Sequence, residues 1–253
     1  MGIINTNFSY LDASFASVTN LVTIPNVAAM RFMPATNITT GYQLLGYTNA
    51  NDGGGGLFYV DPAGVEAEDN GTIFTPANNV GRFHRRLDNS DVYPQWWGGI
   101  VTNSTIQSAI DYTSARDYGT VWITADYPID PVNNKITMRS NVALSGATGG
   151  GLHSASAPST NWALITVPHG TFNFSIANLL LRGHIEIPGS TNNTGYIIDL
   201  GSCTNGLIAG LQAREWYSGY LSPLAGKSFE NLQILDENWE RNVRAVGALG
   251  WPT

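Results

Sequence analysis

The 253-residue chain has 12% charged residues and a formal net charge of −7, against the roughly 25% charged content of ordinary soluble domains. With no basic run, this balance argues against nucleic acid and anionic membrane surfaces as partners. Only two lysines, Lys135 and Lys227, occur, which disfavours long solvated helices, while 28 glycines and abundant Asn, Ser and Thr indicate a turn-rich β protein.

Residues 1–20 are polar, with Phe8, Leu11, Phe15 and Val18 at roughly helical spacing, so they read as a short arm that orders on contact. From Leu21 the pattern changes to short strands divided by turn residues. Strands are predicted over Tyr42–Tyr47, Leu57–Val60, Thr72–Thr75 and Arg82–Leu87. Between the first two lies Asn51-Asp52-Gly53-Gly54-Gly55-Gly56. A phosphate-binding loop would need a strand before it, a helix after it and usually a Lys, so these glycines read as a tight bend or a close backbone crossing. One helix is predicted over Ser104–Ala115, capped by Ser104, with Ile106, Ala109, Ile110 and Thr113 on one face. Gly119–Ile123 then reads as a buried strand.

Cys203 is the single cysteine, and His84, His153, His169 and His184 lack ligand spacing. No disulfide, metal site or cofactor is expected from them. No secretory signal pattern or membrane-spanning stretch is present.

Beyond residue 140 the chain repeats itself. Asn141–Gly146, Asn178–Gly183, Gly210–Glu215 and Asn231–Asp236 align on a turn residue followed by alternating apolar positions. Spacings within the 20–50-residue range mark a solenoid, with insertions on one face. Too few strands per repeat are available for a propeller blade, so a parallel β-helix fits, with Asn ladders between coils. The alignment predicts Leu144, Leu181 and Ile234 as inward-pointing positions.

Several stretches, in order, carry a resemblance: Gly46-Tyr47, Asp52–Phe58, Asp69–Ile73, Gly81–Arg85, Trp97-Gly98, Ile106–Asp111, Gly119–Ile123 and Ser140–Gly146. Over about half its length the chain resembles the N-terminal part of bacteriophage tailspikes with a pectate-lyase-like β-helix. The resemblance implies a mainly β protein, in which a small N-terminal β domain precedes a capping helix and a short right-handed parallel β-helix. It implies a docking arm at 1–20, a neck or head-binding domain at 21–95, and the capped β-helix at 96–253. It also implies a homotrimer in the virion tail, held to other phage tail proteins through the arm and contacting host surface polysaccharide. The chain departs from the family at Gly98–Ser104, where acidic residues are often found. It also ends after few coils, so a partial chain is expected.

For polysaccharide cleavage, the alternative to attachment alone, a hydrolase needs two carboxylates at a set separation. Glu215 and Asp236 occupy equivalent places in the alignment and become the candidate catalytic pair. A lyase would instead use a base such as His184, Lys227 or Arg214. Trp216, Tyr217 and Tyr220, after a repeat strand, are candidates for stacking on sugar rings, with packing under a loop as the competing role.

Overall fold

A computed structural model describes residues 18–131, 135–155, 163–183, 196–214, 226–235 and 238–240. The chain forms two compact units, one of residues up to Asn89 with Gln95–Ile100, the other of Ser90–Pro94 with the chain from Val101 onward. Of the arm's apolar residues, Phe8, Leu11 and Phe15 lie outside the described residues.

The first unit is built on β1 (Asn20–Ile24), β2 (Thr40–Leu44), β3 (Gly56–Asp61), β4 (Ile73–Phe74) and β5 (Arg82–Arg85). They form one sheet in the order β1-β2-β3-β5-β4, with β1 parallel to β2 and the other pairs antiparallel. The five-residue helix α1 (Val27–Arg31) was not foreseen from sequence; Asn26 caps it by accepting a hydrogen bond from Ala29 N–H. Alternation along the strands puts Tyr42, Leu44, Phe58, Val60, Phe74 and Phe83 into one core with Ile24 and Met30.

The glycine run does make close backbone approaches. A Cβ on Gly54 would meet Tyr47 and the Gln95 carbonyl, and one on Gly56 would strike the Arg85 guanidinium. Arg85 is buried and donates to the carbonyls of Gly54, Gly55 and Gly71 at 2.9, 2.6 and 3.0 Å. Its guanidinium also lies over the rings of Phe58 and Trp96. A buried charge is tolerable here because its donors are used and its flat faces are covered. Asp52 closes the other side of the loop, accepting from the N–H groups of Tyr47, Thr48, Asn49 and Gly54. Burial pushes its pKa up, but those four backbone donors outweigh burial and hold it below the ordinary carboxylate value.

The second unit opens with β6 (Asp91–Val92) and α2 (Asn103–Ala115). The helix is one residue longer than predicted at its start. Its cap is Thr102 rather than Ser104: Thr102 and Thr105 exchange side-chain-to-backbone hydrogen bonds in a capping box. Three-stranded coils follow: β7 (Gly119–Ile123), β8 (Asp126–Ile129) and β9 (Ile136–Thr137); β10 (Val142–Gly146), β11 (Gly151–Ser154) and β12 (Ala163–Val167); β13 (Thr171–Ala177), β14 (Leu180–Arg182) and β15 (Tyr196–Leu200). Then come β16 (Cys203–Ala209), β17 (Gln212–Arg214), β18 (Phe229–Glu230), β19 (Gln233–Leu235) and β20 (Asn238–Glu240).

Every pairing between coils is parallel, giving a parallel β-helix with three sheets. The first sheet runs β6-β7-β10-β13-β16-β18, with β19 also on β16; the second runs β8-β11-β14-β17-β20, and the third β9-β12-β15. Val121, Leu144, Ile176 and Ile208 stack inward in the first sheet, and Ile136, Ile165 and Ile198 in the third, all fully buried.

The helix α2 covers the open end. Its buried face carries Ile106, Ala109 and Ile110, and its amides complete the first coil's backbone. Asn103 bonds both N–H-accepting and carbonyl-donating ways with Asp130, and Gln107 does the same with Thr137. Two side-chain amides thus pair with groups that a further strand would otherwise satisfy.

The structure corrects the phase of the repeat. Asn141, Asn173, Asn205 and Asn231 form the ladder: the amide Nδ2 of Asn173, Asn205 and Asn231 each donates to the Oδ1 one coil below, at 3.2, 3.2 and 3.0 Å. Their spacings are 32, 32 and 26 residues. All four are left-handed, with φ between 50° and 62°, a conformation Asn tolerates better than other side-chain-bearing residues. Asn178 belongs to a different corner, stacked against Gly210. The sequence alignment therefore mixed two sheets: Leu144 and Ile234 sit in the first, Leu181 and Ala213 in the second. Leu144 and Leu181 are fully buried as expected, whereas Ile234 is only half-buried.

Candidate functional site

All five predicted site residues, Glu215, Trp216, Tyr217, Tyr220 and Asp236, lie outside the described residues. The alignment paired Glu215 with Asp236 through Ala213 and Ile234, and the register places those two residues in different sheets. Ala213 is opposite Trp239 in the second sheet, while Ile234 is opposite Ile208 in the first. In sequence, Glu215 therefore follows a strand of the second sheet and Asp236 one of the first.

The second sheet directs attention to another set. Its strands end at Ile129, Ser154, Arg182 and Arg214, and the connections to the next strand are residues 130–135, 155–162, 183–195 and 215–228. The longer connections of the solenoid thus leave from one edge, where binding loops on a rigid scaffold are expected. Glu215, Trp216, Tyr217 and Tyr220 all belong by sequence to the connection after β17.

On the outer face of this sheet, β8, β11 and β14 bring together Asp126, at the start of its strand, with His153 and Arg182 near the ends of theirs. Register places His153 directly beside Arg182 on the neighbouring coil, and Arg214 follows Arg182 in the same row. Asp126 Oδ1 lies 3.0 Å from His153 Nδ1, and its Oδ2 pairs with Arg182. All three side chains are partly exposed, so the row faces outward while Leu152 and Leu181 point into the core. Arg182 Nε is buried without a hydrogen-bond partner among the described residues. A carboxylate that fixes an imidazole at Nδ1, next to a guanidinium, is suited to orient a proton-transferring nitrogen or to bind an acidic group. Nothing in the sequence revealed this set, because its members are separated by whole coils.

A hollow of about 250 Å³ opens at another corner, lined by His169, Ser202, Cys203, Thr204, Ser228 and Glu230 among others. Burial pushes the Cys203 thiol pKa up, with Lys227 partly opposing it, which disfavours the reactive thiolate. Lys227 is engaged with Asp199 at 3.5 Å and with the Leu200 carbonyl. Among the described residues, no helix is long and apolar enough to cross a membrane.

Comparison with known proteins gives both units a context. Residues 23–88 match the family model of the phage tail protein small four-stranded β-sheet domain. No curated protein sequence matches the chain. Among solved structures, the chain is similar to the full-length tailspike protein 2 from an Escherichia coli O157:H7 bacteriophage, with a TM-score of 0.59 at 15% identity over 86% of this chain and 32% of that one. It is also similar to the tailspike gp49 from Acinetobacter baumannii bacteriophage Fri1, a capsular polysaccharide depolymerase, with a TM-score of 0.56 at 14% identity over 90% of this chain and 50% of that one. The tailspike of Acinetobacter phage vB_ApiP_P1 gives a TM-score of 0.56 at 12% identity, covering 92% of this chain and 40% of that one. The chain therefore spans between a third and a half of the length of these tailspikes. Residues 23–88 thus resemble a phage tail β-sheet domain, and the fold of the chain is similar to that of these tailspikes.

Proposed function

We propose that this chain acts in the tail of a bacteriophage virion as a tailspike that attaches to other tail proteins and contacts host surface polysaccharide. The observation that carries the reading is the succession, in one chain, of a phage tail β-sheet domain and a capped parallel β-helix. In this reading residues 1–20 are the docking arm, 21–95 the neck and 96–253 the cap and β-helix, and three copies assemble. Polysaccharide meets the edge at the ends of β11, β14 and β17. His153 and Arg182 provide polar and cationic contacts there, and Trp216, Tyr217 and Tyr220 provide ring faces for the sugars.

The test is binding of the purified chain to capsular polysaccharide or lipopolysaccharide from susceptible hosts, alongside light scattering. Binding that weakens in Arg182→Ala and in Trp216→Ala, with a mass of three chains, supports the reading. A monomer that binds no host glycan overturns it. A second reading, cleavage of the same polymer by a glycosidase or lyase, draws on the Asp126–His153 contact. It is decided in the same incubation by oligosaccharide release that disappears in His153→Gln. Glu215→Gln and Asp236→Asn test the carboxylates proposed from sequence.

A further inference from the structure

In the first unit, three chemistry-bearing side chains converge that neither the phage tail domain nor the glycan reading uses. The register of β3 and β5 sets Tyr59 opposite His84 and Asp61 opposite Arg82. Asp61 and His84 are thus diagonal neighbours on one face of the sheet, within reach of each other, while Phe58, Val60 and Phe83 fill the core from the other face. Arg82 Nε donates to the Glu66 carbonyl at 2.7 Å, which holds the 62–68 segment beside β5. The result is that a carboxylate oxygen of Asp61, one of Glu66 and a ring nitrogen of His84 lie within 4.8 Å of one another.

The imidazole supplies the second observation. His84 Nε2 is sealed from solvent and has no hydrogen-bond partner among the described residues. Its approach to Glu66 Oε2, at 3.9 Å, is too long for a hydrogen bond. The ring is held in place by stacking on Tyr59, with centroids 5.2 Å apart and planes 16° from parallel. Buried polar atoms are nearly always satisfied, so an orphan ring nitrogen beside the Glu66 carboxylate, in a group with Asp61, leaves a place that a bound cation would complete.

We propose that Asp61, Glu66 and His84 bind a divalent transition-metal cation of the zinc type. One imidazole and two carboxylates, with the remaining position left to water, form a donor set that zinc accepts. Calcium and magnesium, by contrast, require shells of oxygen ligands. Asp61 already uses Oδ1 to accept from Ala63 N–H, which fixes its carboxylate. Glu66 is half exposed, so its side chain is the one free to swing in and close the set. The bound cation would pin the 62–68 segment to the sheet. The inference stands apart from polysaccharide contact.

Equilibrium dialysis of the intact chain against Zn²⁺, after treatment with a chelator, tests it. The wild type should retain one equivalent that His84→Gln loses and that Glu66→Gln weakens by about tenfold or more. His169→Gln, which removes a histidine beside Cys203, should leave that equivalent in place. Thermal unfolding in the presence of Zn²⁺ should shift upward for the wild type and not for His84→Gln. Because Glu66 lies at the surface, Glu66→Gln remains informative even if His84→Gln fails to fold. Zinc retention unchanged in Glu66→Gln, or no zinc bound by the wild type at millimolar concentration, overturns the proposal.

Discussion

The two units meet the same demand, satisfying backbone groups that a β structure removes from water, by opposite means. In the first unit the sheet is short and irregular, and individual charged side chains act as clamps: Arg85 on three carbonyls of the glycine loops, and Asp52 on four N–H groups. In the second unit repetition does this work. Among the described residues, strands of successive coils pair in parallel, left-handed backbone recurs at the ladder asparagines, and the side-chain amides of Asn103 and Gln107 serve the first coil under α2. One unit concentrates its stability in a few residues, the other spreads it along identical positions. Substitutions should therefore be severe at single points in the first unit and graded with coil position in the second.

The sharpest way to break that comparison is Arg85→Ala. It removes three charge-assisted hydrogen bonds and leaves buried carbonyls unpaired, so a loss of about 4 kcal/mol is expected. Hydrogen exchange followed by mass spectrometry should show the loops at 53–56 and 69–72 losing protection first. Protection unchanged at those loops would mean that the glycines hold their shape without the clamp.

Next in size is Leu181→Ala on the inward face of β14. Leu181 is fully buried between Leu152 and Ala213, and transfer plus cavity terms predict a loss of about 3 kcal/mol. The same substitution at Ile234, only half-buried, should cost less than about 1.5 kcal/mol. Equal losses at the two positions would contradict a gradient along the coils. Both are read from chemical unfolding of the second unit's signal.

Asp52 gives the first unit a pH dependence. Its folded pKa lies below the ordinary value, so its contribution is present above the unfolded carboxylate pKa and fades as pH falls through the folded one. Asp52→Asn should lower stability by about 2 kcal/mol at neutral pH. The gap from wild type should narrow in strongly acidic solution. A constant difference across that range would show that the carboxylate charge is not what holds the loop.

The same contrast explains what the sequence disclosed. The capping helix was legible because Ile106, Ala109 and Ile110 recur at helical spacing, and the turns were legible because Gly and Asn mark left-handed backbone. The phase of the solenoid was not, because strands of the first and second sheets carry the same apolar alternation. Asn178 precedes an apolar triplet as convincingly as Asn173 precedes the inward Phe174 and Ile176 of β13. Only the pairing of coils separates them. The cluster of Asp126, His153 and Arg182 was hidden for the same reason, since parallel stacking joins residues a coil apart without any local signal. The short α1 was missed because five residues are too few to show a period. Glu215, Trp216, Tyr217, Tyr220 and Asp236 fall outside the described residues, so the sequence alone speaks for them.

The smallest expected effect tests the ladder itself. Asn173 is exposed, so its value cannot come from burial. It contributes a left-handed backbone at φ 50°, a hydrogen bond to Asn141 below and an acceptor for Asn205 above. Asn173→Ala removes both kinds of contribution: alanine resists the left-handed region, and the ladder is interrupted, for a loss of about 1–2 kcal/mol. Asn173→Gly keeps the backbone conformation and removes only the side-chain bonds, so it should cost about 0.5 kcal/mol. The difference between the two variants, read by equilibrium unfolding, separates turn geometry from ladder bonding. If glycine costs as much as alanine, the amide ladder rather than the turn sets the register of the coils.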